Sequence, residues 1–163
     1  MVRAMAGWSR SLSIWLLVAV VGVVTACSGI PSDPDGTLDR VRDGVLRVGV
    51  SPNAPWTVVD GGAPTGIKPD LVREFANGLR AQVEWRVGGE EVLILELEHQ
   101  RLDLVIGGLT ADTPWSDKAA ITKAFAEGPD ATGEVAERVM AAPMGENAFL
   151  LRLEKFLLSK AKR

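Results

Sequence analysis

Short segments of alternating or β-branched apolar residues recur along the chain, and each predicts a β-strand. Three of them are VLRVGV at 45–50, QVEWRV at 82–87 and LDLVI at 102–106. Between them, apolar residues spaced by three and four predict a helix at 70–79, and a run rich in Leu and Glu predicts another at 91–100. This alternation of strand and helix predicts an α/β fold with a doubly wound, mostly parallel sheet and flanking helices.

Further elements are predicted at both ends of this series. Thr37 is suited to cap a short helix before the first strand. Residues 138–142, RVMAA, predict a short strand that stops at a proline, and a last helix with an apolar face follows from residue 146 or 147. The folded domain is therefore expected to span 37–163.

Residues 1–26 have the pattern of a bacterial signal peptide. They carry Arg3 and Arg10 and no acidic residue, and an unbroken apolar stretch runs from residue 14 to residue 24. This stretch is shorter than the roughly 20 residues that a membrane-spanning helix needs, and small residues follow it as at a cleavage site. The segment is therefore excluded from the predicted fold.

The single cysteine, Cys27, directly follows Val24, Thr25 and Ala26. This quartet resembles the lipobox of bacterial lipoproteins, whose cysteine is lipidated and becomes the new N-terminus. The alternative is an incidental or buried free thiol. The lipobox interpretation predicts a lipid anchor on the extracytoplasmic face of the cell membrane, followed by a flexible tether, with residues 27–36 forming both.

Composition and charge narrow the classes of partner. With Arg3 and Arg10 removed, 16 of the 18 basic residues remain against 21 acidic residues, so the mature chain is acidic. Nucleic acid is therefore not expected as a partner, because phosphate binding requires a basic face. The single histidine, His99, lies in a polar stretch with no second histidine nearby. We expect a surface histidine, no metal site and no cofactor.

Residues 37–125 resemble a known family through the order of their elements. These are a short helix, VLRVGV, a loop ending in Pro55 and Trp56, a hairpin, Gly66 with Asp70 opening a helix, and finally LDLVIGGLT. The order is similar to that of the bacterial extracellular solute-binding proteins of family 3, which serve amino-acid ABC importers. The resemblance implies a periplasmic-binding-protein-like lobe that binds a small polar solute, such as an amino acid, and an ABC permease as partner.

The same resemblance implies where the ligand binds. In the family, an aromatic residue after the first strand stacks on the ligand, and a Gly-Leu-Thr segment after the third strand contacts its charged ends. Trp56 stands at the first place, and Gly108, Leu109 and Thr110 stand at the second. The family's carboxylate-binding arginine is missing, and Lys118 is only a loose substitute for it.

Three other candidate residues have alternative explanations. Trp115 is a second candidate aromatic wall of the site, although either tryptophan can instead be a packing residue. Asp70 is a candidate ligand contact, but an acid in the first turn of a helix is equally explained by the helix dipole. The adjacent acids Glu90 and Glu91 are expected to be a solvated pair rather than acid–base machinery.

The length of the chain predicts that part of the family's architecture is missing. Members of the family close two lobes around the ligand. Here residues 37–125 match the first lobe, 126–138 are a shortened connection, and 139–163 are expected to return to the first lobe as a strand and a helix. We therefore predict a binding protein rather than an enzyme. Two alternatives are a single-lobe remnant that contacts another protein and a lyase or dehydratase on the same fold.

Overall fold

The computed structural model describes residues 31–129 and 132–161. Within them, helices α1 to α4 cover Thr37–Val41, Ile67–Gly78, Glu90–Glu98 and Asn147–Ala161. Strands β1 to β7 cover Val45–Val50, Gln82–Val87, Leu104–Ile106, Ala120–Ile121, Ala126–Pro129, Val135–Arg138 and Ala141–Ala142. The predicted signal peptide and Cys27 lie outside the described residues. None of the described helices is long and apolar enough to cross a membrane.

Five strands form one sheet in the order β2-β1-β3-β7-β4. The central strand β1 is parallel to both of its neighbours, and its Val48 lies opposite Trp85 of β2 and Leu104 of β3. The short strand β7 is antiparallel to β3, and β4 is in turn antiparallel to β7. The three longest strands of this sheet are parallel to one another, which confirms the predicted fold class.

Helices cover both faces of the sheet because its central strands are apolar on both sides. On one face, α1, α2 and α4 pack against a core that includes Leu46, Val48, Leu104, Phe75 and Phe149. On the other face, α3 packs against a smaller core that includes Leu93, Ile94, Leu97, Val105 and Ala141. The domain is therefore a three-layer α/β/α sandwich.

A buried carboxylate fixes the end of the sheet at which the parallel strands begin. Asp103 is fully buried and accepts hydrogen bonds from Nη2 of Arg40 and Nη2 of Arg47, each at 2.6 Å. Burial acts to raise the pKa of Asp103, but hydrogen bonds from Arg47 and Arg40 outweigh it and lower the pKa below its ordinary value. The charged, paired carboxylate therefore joins α1 to the starts of β1 and β3.

Residues 126–138 form an antiparallel hairpin where the sequence indicated only a connection. In this hairpin, Ala126 of β5 lies opposite Arg138 of β6, and Pro129 lies opposite Val135. The segment gave no strand signal because glycine, proline and acidic residues interrupt its apolar positions. Only residues 130–134 separate β5 from β6 along the chain, so no second lobe is inserted between these strands.

Residues 32–37 are bound to the start of α4, and the prediction of a flexible tether is wrong for 32–36. Asp33 Oδ1 accepts two backbone N–H groups of the first turn of α4, from Ala148 at 2.7 Å and Phe149 at 3.0 Å. The carboxylate of Glu146 in turn accepts two N–H groups, from Asp35 at 3.0 Å and Thr37 at 2.8 Å. A composition rich in Pro, Asp and Gly is typical of a linker. Here, however, Asp33 of this segment caps helix α4, which is more than 100 residues away in the sequence.

Candidate functional site

Two loops meet at the edge where β1 and β3 end. The N–H of Ser51, directly after β1, donates to the carbonyl of Ile106 at the end of β3. Gly107 packs so closely against Ser51 that an added Cβ would lie 2.7 Å from the serine Cβ. A glycine is therefore required here, since a larger residue would separate the loops. In open α/β sheets this edge is the usual place for ligands.

Lys68, in the first turn of α2, binds the backbone of the loop that follows β3. Its fully buried amine donates to the carbonyls of Gly107 at 2.8 Å, Val139 at 2.9 Å and Leu109 at 3.3 Å. Burial above all, and then the charge of Arg138, lower the pKa of Lys68 from 10.5 to about 7, while Glu90 acts in the opposite direction. The amine thus fixes the backbone of residues 107–109.

Gly108 packs against two polar side chains. A Cβ added to Gly108 would lie 3.1 Å from Asn53 Nδ2 and 3.8 Å from Glu90 Oε2. The indole N–H of Trp115 donates to Glu90 Oε1 at 2.8 Å. Glu90 is half-buried, so the prediction of a solvated pair holds for the exposed Glu91 and is wrong for Glu90. The sequence could not show that Glu90 meets a tryptophan 25 residues away.

Thr110 and Lys118 complete the rim of the site. The hydroxyl of Thr110 donates to Asp112 Oδ1 at 2.6 Å, and this bond lowers the pKa of Asp112 below its ordinary value. The ammonium of Lys118 lies 5.9 Å from the centre of the Trp115 ring, over its face. Three of the predicted site residues, Gly108, Trp115 and Lys118, are therefore linked through Glu90 and the Trp115 ring, whereas the side chain of Thr110 contacts Asp112.

Trp56 is buried, with 5% of its surface exposed. Its indole N–H donates to the carbonyl of Pro129 in β5 at 2.9 Å, and the guanidinium of Arg138 lies 5.1 Å from its ring centre. The hairpin therefore covers Trp56. Of the two explanations that the sequence left open, packing is the one that matches this environment.

The side chains of Asp70 and Leu109, two further predicted ligand contacts, are engaged by other parts of the protein. Asp70 lies exposed in the first turn of α2 and pairs with Arg73 at 2.8 Å, as expected for a residue that serves the helix. The side chain of Leu109 is buried in the core of the α3 face. Only its backbone contributes to the loop, where its carbonyl accepts a hydrogen bond from Lys68.

Sequence reasoning missed three residues that shape this edge: Asn53, Lys68 and Arg138. Lys68 could have been found, because it lies four residues before Val72 on the apolar face of α2. Arg138 is fully buried, and its Nε and Nη1 have no hydrogen-bond partner within the described part of the chain. Neither Arg138 nor Asn53 has a local signal in the sequence. Among residues 31–129 and 132–161, no group of His, Cys, Asp and Glu is arranged to hold a metal ion.

The fold and this edge define one lobe of a solute-binding protein of the periplasmic type. The chain belongs to the bacterial extracellular solute-binding proteins, family 3, whose family model matches residues 46–132. Membership of an extracellular family implies an extracytoplasmic location.

Solved structures of this fold share little sequence with the chain. The arginine-bound form of domain 1 from TmArgBP, from T. maritima, has a TM-score of 0.64 at 22% identity, over 74% of this chain and 97% of that chain. An ancestral cationic amino acid solute-binding protein has a TM-score of 0.65 at 17% identity, over 77% of this chain and 94% of that one. These similarities establish the fold.

A curated relative is an enzyme that is similar over one segment. Membrane-bound lytic murein transglycosylase F of Vibrio cholerae serotype O1 is 29% identical over 100 residues, which are 60% of this chain and 18% of that protein. The chain thus spans about a fifth of the length of the curated relatives it matches.

Proposed function

We propose that this protein captures a small polar solute, such as an amino acid, outside the cytoplasm and delivers it to an ABC permease. The observation that carries the proposal is the edge at which β1 and β3 end. There, within a lobe of the solute-binding family, Gly108 and Trp115 lie beside Glu90, and Thr110 follows two residues after Gly108. Backbone, hydroxyl, carboxylate and aromatic groups together suit a small polar ligand.

A single lobe is sufficient for this role in our proposal. The described domain has its own two cores and a complete five-stranded sheet. It also superimposes on 97% of an isolated domain 1 from TmArgBP, which is in an arginine-bound form. That example supports ligand binding by one lobe of this fold without a second lobe around the ligand.

A lipid anchor at Cys27 belongs to the same proposal. The charged and then apolar pattern of residues 1–26, followed by the lipobox-like Val24 to Cys27, supports export and lipidation. Acyl chains on Cys27 would hold the protein at the outer face of the membrane, because each buried methylene contributes about 0.8 kcal/mol.

We propose binding rather than catalysis. The similarity to the transglycosylase covers 18% of that enzyme, so it concerns one segment of a much longer chain. The site of this lobe is also open on one side, whereas general acid–base catalysis works best in a site that excludes water. Turnover of a sugar or amino-acid substrate by the purified protein would contradict this part of the proposal.

Isothermal titration calorimetry tests the proposal with the full-length chain in detergent micelles and a panel of amino acids. We expect saturable binding of at least one of them, and at least about tenfold weaker binding by Trp115→Ala, since an aromatic wall is lost. Trp85→Ala is the matched control, because Trp85 is also half-buried but lies on β2, under Arg73. A folded protein that binds no solute would favour the alternative of a lobe kept for protein contacts.

A further inference from the structure

The charged side chains at the site form two groups, those that are at least partly exposed, which we call the rim, and those that are fully buried, which we call the floor. Two carboxylates, Glu90 and Asp112, lie on the rim beside Gly108 and Thr110. Two cations, Lys68 and Arg138, lie in the floor and have no exposed surface. A ligand on the rim therefore meets these two carboxylates and the ammonium of Lys118 directly, while Lys68 and Arg138 are out of contact.

The protein itself occupies the amine of Lys68 fully and the guanidinium of Arg138 in part. The amine of Lys68 donates to three backbone carbonyls. Arg138 donates from Nη2 to the carbonyl of Gly128 at 2.7 Å, and its guanidinium covers the ring of Trp56. Two donors of Arg138, Nε and Nη1, have no partner among the described residues, but the guanidinium has no exposed surface that a ligand on the rim could contact.

Glu90 is positioned to accept a further hydrogen bond. Its Oε1 is held by the indole N–H of Trp115, which fixes the orientation of the carboxylate. Its Oε2 lies 3.8 Å from the place that a Cβ on Gly108 would take. Asn53 Nδ2 lies 3.1 Å from the same place, so a side chain at position 108 would crowd these polar groups, and glycine leaves them unobstructed by a Cβ.

The protein already places one cation at this aromatic wall. The ammonium of Lys118 lies over the face of Trp115, beside the residue that holds Glu90. A tryptophan face attracts cations through its quadrupole, and exposed pairs of this kind are weak enough to exchange. Lys118 thus behaves as an internal competitor for the position that a ligand cation would take.

We propose that the site selects a small organic cation, an amine or guanidinium, through Glu90 and Trp115, and does not require a carboxylate on the ligand. This inference rests on the proposed solute-binding function and assigns it a substrate class. Glu90 is the residue that determines specificity, because the indole N–H of Trp115 holds its carboxylate in a fixed orientation. Lys118 competes with the ligand rather than binding its carboxylate.

The test compares arginine with agmatine, which is arginine without its carboxylate, by calorimetry on the full-length chain in detergent micelles. We expect agmatine to bind at least as tightly as arginine. Glu90→Gln should weaken both by about tenfold or more, since a charge-assisted hydrogen bond is lost. Glu91→Gln is the matched control, because it removes a neighbouring exposed acid from the same helical turn, and it should leave both affinities unchanged.

Lys118→Met separates the two roles of that lysine. If Lys118 competes with the ligand, its removal should tighten the binding of both arginine and agmatine. If Lys118 instead binds the ligand's carboxylate, its removal should weaken the binding of arginine alone. Weakening of arginine alone, or preference for glutamate or glutamine over both cations, would overturn the inference and leave the proposed solute binding standing. Absence of binding by every probe would overturn the proposed function, and this inference with it.

Discussion

Lys68 is a buried lysine whose amine meets only uncharged hydrogen-bond acceptors. Its pKa is about 7 in the folded protein and about 10.4 in an unfolded chain. Between these values the unfolded chain binds a proton that the folded protein releases, so the free energy of unfolding should rise with pH across this window. Below pH 7 both states are protonated, and the dependence should vanish.

The change to test is Lys68→Met, which removes the titrating group and keeps the length of the side chain. We expect the free energy of unfolding of the wild type, minus that of the variant, to increase by on the order of 3 kcal/mol from pH 7 to pH 10. Urea unfolding at a series of pH values measures this difference. Lys123→Met, at an exposed lysine paired with Glu154, should follow the wild-type profile. A difference that stays flat or falls would show that the amine is charged throughout.

At the scale of elements, α4 depends on a cap from another part of the chain. Replacing Asp33 with Ala removes the acceptor for the N–H groups of Ala148 and Phe149. We expect a loss of about 1–2 kcal/mol in the free energy of unfolding, as for other N-cap residues. Hydrogen exchange should show the loss first in the first turn of α4. Asp60→Ala, in an exposed turn, is the control, and equal effects of the two changes would contradict the capping role.

A helix or strand could be predicted where the pattern that indicates it lies within its own few residues. Strands β1 and β2 match their predicted bounds because alternation is visible within six residues. The hairpin of β5 and β6 was missed because its partner Trp56, which contacts Arg138 of β6 and Pro129 of β5, is distant in sequence. Periodicity carries no information about such partners.

The site was predictable only in part, for the same physical reason. Gly108, Thr110 and Trp115 follow a recognisable strand, so their place at its end could be inferred. The partnership of Glu90 with Trp115 joins the start of α3 to a loop 25 residues later, and no spacing rule predicts it. Packing around Trp56 likewise depends on residues more than 70 positions away.

At the scale of the whole molecule, binding by one lobe should bury little surface. No second lobe is inserted between β5 and β6 to close over the ligand, so only one side of a small solute leaves water. We expect the heat-capacity change of binding to be negative. Its magnitude should be below about 0.1 kcal/mol/K, which corresponds to the burial of roughly 200 Å² of apolar area. Calorimetry at several temperatures measures it. A much larger value, with dimers seen by light scattering, would show that a second copy closes the site.

The short connection between β5 and β6 also affects how the protein folds. The entropy lost on closing a loop grows with its length, by about 0.6 kcal/mol for each doubling. With only residues 130–134 between them, these strands can pair locally, on the microsecond scale of an isolated hairpin. A chain with a whole lobe between the same strands must instead bring together residues that are far apart in sequence, which slows folding. The pairing of β5 with β6 is therefore local in this chain, and Trp56 needs only a preformed hairpin to be covered.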